Sequence, residues 1–296
     1  MDWNLVRAEE AEFDLSEFRQ GIRKGGYYDW DVDKYFLPLE DQDAEEQDRQ
    51  GGEGMISICV LTTAWNRYPE RFEALKRMIG SVRTNMDWGE CRVSWVTAIQ
   101  EQGHLLREET EAFLESQDIE YFYTPGKPLL ANNLNAGLQY VSHRHAPNLI
   151  LYLQDDMIMR RPYSIEDDAE MLVENFSNVS MVKYIVSEKH RKAAAKRGPY
   201  LWLDPKLDYY YSDCAHLMRW DFHYCTGLFS TATTKDGIDI SQCEPEMDRR
   251  CRELNALGAI SIIGRAEDPG IFERQEGVPS VMTEKHELFE KRRGQE

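Results

Sequence analysis

Long apolar runs are missing from this chain: nothing approaches the roughly 18 residues that a membrane-spanning helix needs. Met1-Asp2-Trp3-Asn4 also lacks the basic and apolar regions of a secretory leader, so a cytoplasmic protein without a membrane span is expected. Positive charge is short. Lys and Arg number 35 against 53 Asp and Glu, a formal net charge of −18, which disfavours nucleic acid or an anionic membrane as the partner. A cation becomes useful if the substrate is a phosphate ester. The cysteines at 59, 91, 214, 225, 243 and 251 form no Cys-x-x-Cys pair, so buried free thiols are expected in place of structural zinc, with a Cys214–Cys225 approach left open. No internal repeat is present. No Gly-x-Gly-x-x-Gly follows the first strand, which argues against a dinucleotide site.

What is there is an ordinary globular composition, 42% hydrophobic and 11% aromatic over 296 residues, enough for one core with a small appendage. Residues 1–54 read as that appendage. Tyr27-Tyr28-Asp29-Trp30-Asp31 and Tyr35-Phe36-Leu37 suit a docked arm or a partner contact, and the acidic stretch from Glu40 to Glu53 reads as a linker.

Strands and helices then alternate. Strands are expected over Ile56–Leu61, Arg92–Thr97 and Ile119–Tyr123, with helical stripes at Phe72, Leu75, Ile79, Val82 and at Leu130, Leu134, Leu138, Val141, and a shorter helix over 108–115. That alternation predicts an α/β fold with a mainly parallel sheet. Next comes Asn148-Leu149-Ile150-Leu151-Tyr152-Leu153-Gln154-Asp155-Asp156, an apolar run that ends on two carboxylates and so delivers them to the carboxyl end of a buried strand. By itself the pair is open between loop solvation and a hard-cation site for Mg²⁺ or Mn²⁺. Capping of the following helix is assigned to Ser164, with Asp167 three residues on.

The second half is less regular and rich in aromatics. A helix over 165–176, strands over 181–186 and 259–263, and a helix opened by Glu244-Pro245-Glu246-Met247-Asp248 are expected. The basic run His190 to Arg197 is either a solvated helix face or a contact to an anionic ligand. Tyr209, Tyr210, Tyr211, Trp220, Phe222, His223 and Tyr224 either stack on sugars or fill a core.

The order of these features resembles the glycosyltransferase family 2-like group of GT-A nucleotide-sugar transferases. Thr62-Thr63-Ala64-Trp65-Asn66-Arg67 is similar to that group's opening loop, and Ala131-Asn132-Asn133-Leu134-Asn135-Ala136-Gly137-Leu138 to its Ala-Arg-Asn-x-Gly-Leu helix start. Gln154-Asp155-Asp156 stands where it has Asp-x-Asp, and Glu246 to Gly258 resembles its late Glu-Asp helix. The likeness covers about residues 56 to 265 and implies a GT-A fold, a Rossmann-like sheet flanked by helices, with an irregular aromatic-rich C-terminal half. It divides the chain into an arm and linker (1–54), a catalytic domain (55–265) and a tail closing over the site (266–296).

The resemblance further implies a metal-dependent hexosyl- or N-acetylhexosaminyl-transferase, inverting, with a UDP-sugar first among the donors and a glycan, peptide or small molecule as acceptor. Mn²⁺ or Mg²⁺ falls to Asp156 and Asp155, with His286 replacing the group's late histidine. Glu246 is the implied general base, with Glu244 and Asp248 in reserve. Thr62, Asn66, Arg67, Asn133, Asn135 and Asp155 are implied to position the nucleotide, and Arg274, found where the histidine usually stands, to grip the diphosphate. Two other functions fit the residues: a nucleotidyltransferase on a similar sheet, disfavoured by the missing phosphate loop, and a sugar-nucleotide- or protein-binding module without catalysis.

Overall fold

The structure, a computed structural model, describes residues 27–29, 34–36, 55–65, 68–100, 106–124, 130–174, 179–229, 243–267 and 270–278. Most of the expected arm, linker and tail lies outside the described residues. Within the arm, β1 (Tyr27–Asp29) and β2 (Lys34–Phe36) pair antiparallel.

The body is a nine-stranded sheet. Its first strand, β3 (Ser57–Ala64), is followed by α1 (Pro69–Asn85), the short β4 (Met86–Asp87), β5 (Arg92–Gln100), α2 (Arg107–Ser116), β6 (Glu120–Thr124), α3 (Leu130–Arg144) and β7 (Leu149–Gln154). β8 (Met157–Met159), β9 (Tyr163–Ser164), α4 (Glu166–Glu174), β10 (Val179–Lys183), α5 (Glu188–Ala193), β11 (Ala195–Arg197) and β12 (Tyr200–Trp202) come next. The remainder is β13 (His216–Arg219), α6 (Phe222–Thr226), α7 (Cys243–Ala256), β14 (Ser261–Arg265) and β15 (Phe272–Arg274).

Across the sheet the order is β11-β12-β14-β10-β13-β7-β3-β5-β6. β7, β3, β5 and β6 run parallel, as do β10 and β14. β13 is antiparallel to both β7 and β10, and β12 to both β14 and β11, so only these two strands oppose the common direction. The expected mainly parallel sheet is therefore present, and β13 is the reversed strand that joins its halves.

Burial explains why these segments became strands and helices. All six residues of β7 and seven of the eight in β3 are buried, as strands covered on both faces require. One face packs on Phe72, Leu75, Ile79 and Val82 of α1 and on Ala169 and Leu172 of α4. The other packs on Leu134, Leu138 and Val141 of α3 and on Met247 and Cys251 of α7. Gly137 interrupts the α3 stripe for a reason: a Cβ there would sit 2.7 Å from Leu61 Cδ1, so its absence lets the helix lie close against β3. Among the described residues no helix is long and apolar enough to cross a membrane.

Several expectations change. Ser164 does not cap α4; it pairs with Asp87 in a short parallel ribbon, and the helix begins at Glu166. The basic run splits into α5 and β11; Lys192, Lys196 and Arg197 are exposed, as a solvated face requires, while His190 is buried with its ring nitrogen 2.9 Å from the Asp208 carbonyl. Tyr210, Tyr211 and Phe222 fill the core, and among them Tyr211 stacks on Phe222. Cys214 and Cys225 are free thiols.

One buried network fastens the C-terminal half to the sheet. Asp168, on α4, is fully buried; it accepts hydrogen bonds from Tyr163 (2.5 Å) and Tyr200 (2.8 Å) and pairs with Arg265 (3.1 Å). The Arg265 guanidinium lies 5.0 Å from both of those rings. Asp168→Ala would remove the buried carboxylate shared by Tyr163, Tyr200 and Arg265 while leaving the guanidinium its 2.8 Å contact with Glu267, and a loss of about 3 kcal/mol is expected, read from urea unfolding.

Candidate active site

Parallel strands present their carboxyl ends along one rim, and open α/β sheets bind ligands there. At this rim β3 ends in Ala64 and Trp65, and its neighbour β7 ends in Gln154, Asp155 and Asp156.

Asp155 turns inward. Its two oxygens meet Arg71 from the first turn of α1, Oδ2 accepting from Nε at 3.0 Å and Oδ1 from Nη2, and Oδ2 also accepts from the Trp65 amide at 3.2 Å. The Asp155 amide in turn donates to the Thr63 carbonyl at 3.2 Å. The carboxylate is 1% exposed and fully engaged. Asp156, next along the chain, faces the rim: its Oδ1 is buried with no hydrogen-bond partner, while its main-chain carbonyl accepts from the Gln275 amide at 2.8 Å. Burial, and then the neighbouring Asp155 charge, push its carboxyl above the ordinary aspartate range.

Gln154, the strand's last residue, reaches across to the second half. Its Nε2 donates to Asp213 Oδ2 at 2.9 Å and to the Asp213 carbonyl at 3.2 Å, and its Oε1 accepts from Arg274 Nη2 at 3.3 Å. The topology explains the meeting. His216 of β13 lies opposite Tyr152 of β7, so continuing that antiparallel register brings Cys214 and Asp213 beside Gln154. Arg274 of β15 pairs with Met157 of β8, which places its guanidinium next to Asp156 and 3.6 Å from Asp213. Glu244, on the first turn of α7, accepts from the Asp213 amide at 3.3 Å. Burial and the Asp213 charge lift its carboxyl to about 7.

No family model matches the chain, and no curated protein matches it either. Solved structures do. GalNAc-T7, in a crystal structure with UDP, GalNAc and Mn²⁺, is similar with a TM-score of 0.51 over 88% of this chain and 49% of its own, at 11% identity. The fold is the GT-A fold. Weaker likenesses are S. aureus TarS 1-349 (TM-score 0.49, 12% identity, 74% of this chain and 60% of that one) and the mannosyltransferase PcManGT from Pyrobaculum calidifontis with GDP-Man and Mn²⁺ (0.44, 12%, 72% and 58%). The chain spans about half to three-fifths of the length of these structures.

On this GT-A scaffold the residues singled out in the sequence divide. Asp156, Arg274 and Glu244 come together at the rim. Asn133 lies behind them: its Nδ2 donates to the Ala64 carbonyl at 3.4 Å, and its Oδ1 is buried without a partner. Others prove structural. Thr62 is fully buried in β3, and its hydroxyl accepts from Trp95 Nε1 at 2.9 Å. Asn135 exchanges hydrogen bonds with the Phe229 main chain at 2.8 and 2.9 Å, so its amide ties α3 to the loop at 227–229. Asp248 accepts from the amides of Tyr209 (3.2 Å) and Tyr211 (2.8 Å) and holds their turn. Glu246 is clasped by Arg249 and Arg250; burial alone would lift its carboxyl, but the two guanidiniums overcome that and hold it below the usual range, which suits a proton acceptor poorly. Asn66, Arg67 and His286 lie outside the described residues.

Arg71 and Asp213 went unnoticed in the sequence. Arg71 sits four residues past the Arg67 that the loop motif favoured, and only the pairing geometry of α1 against β7 shows which basic residue meets the acid. Asp213 stands in an aromatic stretch with no motif around it.

Among the described residues no three His, Cys, Asp or Glu side chains converge as a cation cage. Asp155, bound on both oxygens, is corrected from ligand to support. The partnerless Oδ1 of Asp156 does fit a divalent ion, because Mg²⁺ is commonly held by one or two carboxylates with phosphate oxygens supplying the rest. Replacing Arg71 by Met would leave Asp155 buried and unpaired. Thermal and urea unfolding should then register a loss of about 3–5 kcal/mol, against under about 1 kcal/mol for the exposed pair Arg107–Glu111.

Proposed function

We propose that this chain is a glycosyltransferase that moves a sugar from a nucleoside-diphosphate donor to an acceptor hydroxyl with inversion, using Glu244 as general base. One arrangement carries the reading. A carboxyl lifted to about 7 and a rim carboxylate with an unused oxygen flank the guanidinium of Arg274, at the strand ends of a GT-A fold.

The chemistry asks for a proton acceptor, a grip on the leaving diphosphate and a fixed donor. Glu244, poised near neutrality, takes the proton as the acceptor oxygen attacks the anomeric carbon, and the bond from that carbon to the diphosphate oxygen breaks. Arg274 binds the diphosphate and offsets the negative charge that grows on it. Asn133 offers its free Oδ1 to a donor group of the nucleotide, with Asn66 and Arg67 of the opening loop as further contacts. A divalent ion, Mn²⁺ or Mg²⁺, would be held by Asp156, with His286 as a second ligand, and would supply Lewis-acid stabilisation of the diphosphate. A UDP-hexose or UDP-N-acetylhexosamine is the first donor to try, since the similar GalNAc-T7 structure holds UDP and Mn²⁺.

Incubation with UDP-, GDP- and TDP-sugars, with and without Mn²⁺, tests the reading through release of nucleoside diphosphate. Turnover is expected with Mn²⁺ and to rise with pH through about 7 as Glu244 ionises. Glu244→Gln should lower kcat by about 10²–10⁴-fold with donor KM little changed, whereas Glu246→Gln should leave most of the rate. Release of pyrophosphate from nucleoside triphosphates would favour nucleotidyl transfer, and donor binding without turnover a binding module.

A further inference from the structure

We propose that Gln154 is a positioning residue of this site: its side-chain amide holds Asp213 with one end and Arg274 with the other, and so keeps the guanidinium aimed at the donor diphosphate instead of closing on Asp213. The task given to Arg274 rests on the transferase reading, whereas the contacts of Gln154 stand without it.

The backbone under Arg274 is already fixed. Arg274 lies opposite Met157 in the ribbon of β15 and β8, and the next residue, Gln275, donates from its main chain to the Asp156 carbonyl at 2.8 Å and from its side chain to the Ala74 and Met157 carbonyls at 3.0 and 3.2 Å. What remains to be set is the direction of a long, rotamer-rich side chain that stands among the acids Asp156, Asp213 and Glu244. A guanidinium in such company tends to take both oxygens of one carboxylate, as Arg71 does with Asp155, and is then neutralised.

Gln154 prevents that closure. The residue is 8% exposed, and its Nε2 occupies Asp213 Oδ2 at 2.9 Å while reaching the Asp213 carbonyl at 3.2 Å, so only Oδ1 is left toward Arg274. Its Oε1 accepts from Arg274 Nη2 at 3.3 Å, and that same nitrogen stops 3.6 Å from Asp213 Oδ1, beyond the roughly 2.7–2.9 Å of a charge-assisted hydrogen bond. Both contacts fall on one nitrogen, and the Arg274 side chain is 54% exposed, so its other N–H groups are open to phosphate oxygens. Only an amide serves both ends. A carboxylate at 154 has no hydrogen to give Asp213, and an apolar chain has nothing for either partner.

The test is calorimetric titration of UDP, at fixed Mn²⁺, into the full chain and its variants, each checked by its unfolding curve. Gln154→Met, close in size, should weaken UDP about tenfold because the guanidinium then closes on Asp213. Adding Asp213→Asn, which removes the competing charge, should recover most of that loss, a rescue that mere damage to the rim would not show. In an Arg274→Met chain the further change Gln154→Met should cost less than about twofold, since Gln154 acts through Arg274. Should Gln154→Met unfold early, Gln154→Glu keeps the size and a polar end, and it should weaken UDP at least as much by neutralising Arg274. UDP affinity unchanged in the folded variant overturns the proposal, as does a loss that Asp213→Asn fails to recover or that persists in full beside Arg274→Met. If the expected pattern appears while no UDP-sugar is turned over, the role of Gln154 stands and the transferase reading falls.

Discussion

The rim of this sheet depends on one buried contact, the bidentate pairing of Arg71 with Asp155. A charged pair taken out of water is tolerated only when its geometry satisfies both partners, and this one does: the guanidinium takes both carboxylate oxygens, and the Trp65 amide adds a third donor. The contact joins the start of α1 to the end of β7, so helix and strand are locked where the chain leaves the sheet. With Asp155 committed to Arg71, the tight turn into β8 leaves the half-buried Asp156 toward Arg274. Two adjacent acids thereby differ: Asp155 spends its oxygens on Arg71 and the Trp65 amide, while Asp156 Oδ1 has no hydrogen-bond partner.

The second half of the chain closes on that turn because of strand direction. β13 runs against β7 and carries the preceding Asp213 to the β7 terminus, and β15 pairs with β8 directly after Asp156. The turn at Tyr209, held at a φ of 65° between Lys183 and Asp248, sets the approach of Asp213. α7 then brings in Glu244 by its first turn, where negative charge is favoured by the helix dipole. Distant segments thus converge on Gln154, whose amide can bond a carboxylate and a guanidinium together where an aspartate could not.

Much of the scaffold was legible in the sequence because burial on both faces writes strands as continuous apolar runs, and Leu149 to Leu153 is such a run. The helical stripes of α1 and α3 were readable because each helix buries one face against the sheet. Side-chain commitments were not. Thr62, Asn135 and Asp248 match motif positions, yet each spends its polar atoms on the protein itself, a choice made by neighbours distant in sequence. Glu246 and Glu244 sit in different surroundings that the sequence does not show: Arg249 and Arg250 follow Glu246 at helical spacing and hold its carboxyl down, whereas burial and then Asp213, 31 residues earlier in the chain, lift that of Glu244. Ser164 failed as a cap since pairing with Asp87 drew it into a strand.

The division of labour between Asp155 and Asp156 is the central claim, and calorimetric titration of a nucleoside diphosphate with and without Mn²⁺ tests it most directly. The wild type should bind the nucleotide more tightly with the ion present, and Asp156→Asn should lose that difference while keeping the wild-type unfolding curve. Equal sensitivity to Mn²⁺ in the two proteins, or an Asp156→Asn chain that unfolds early, would contradict it.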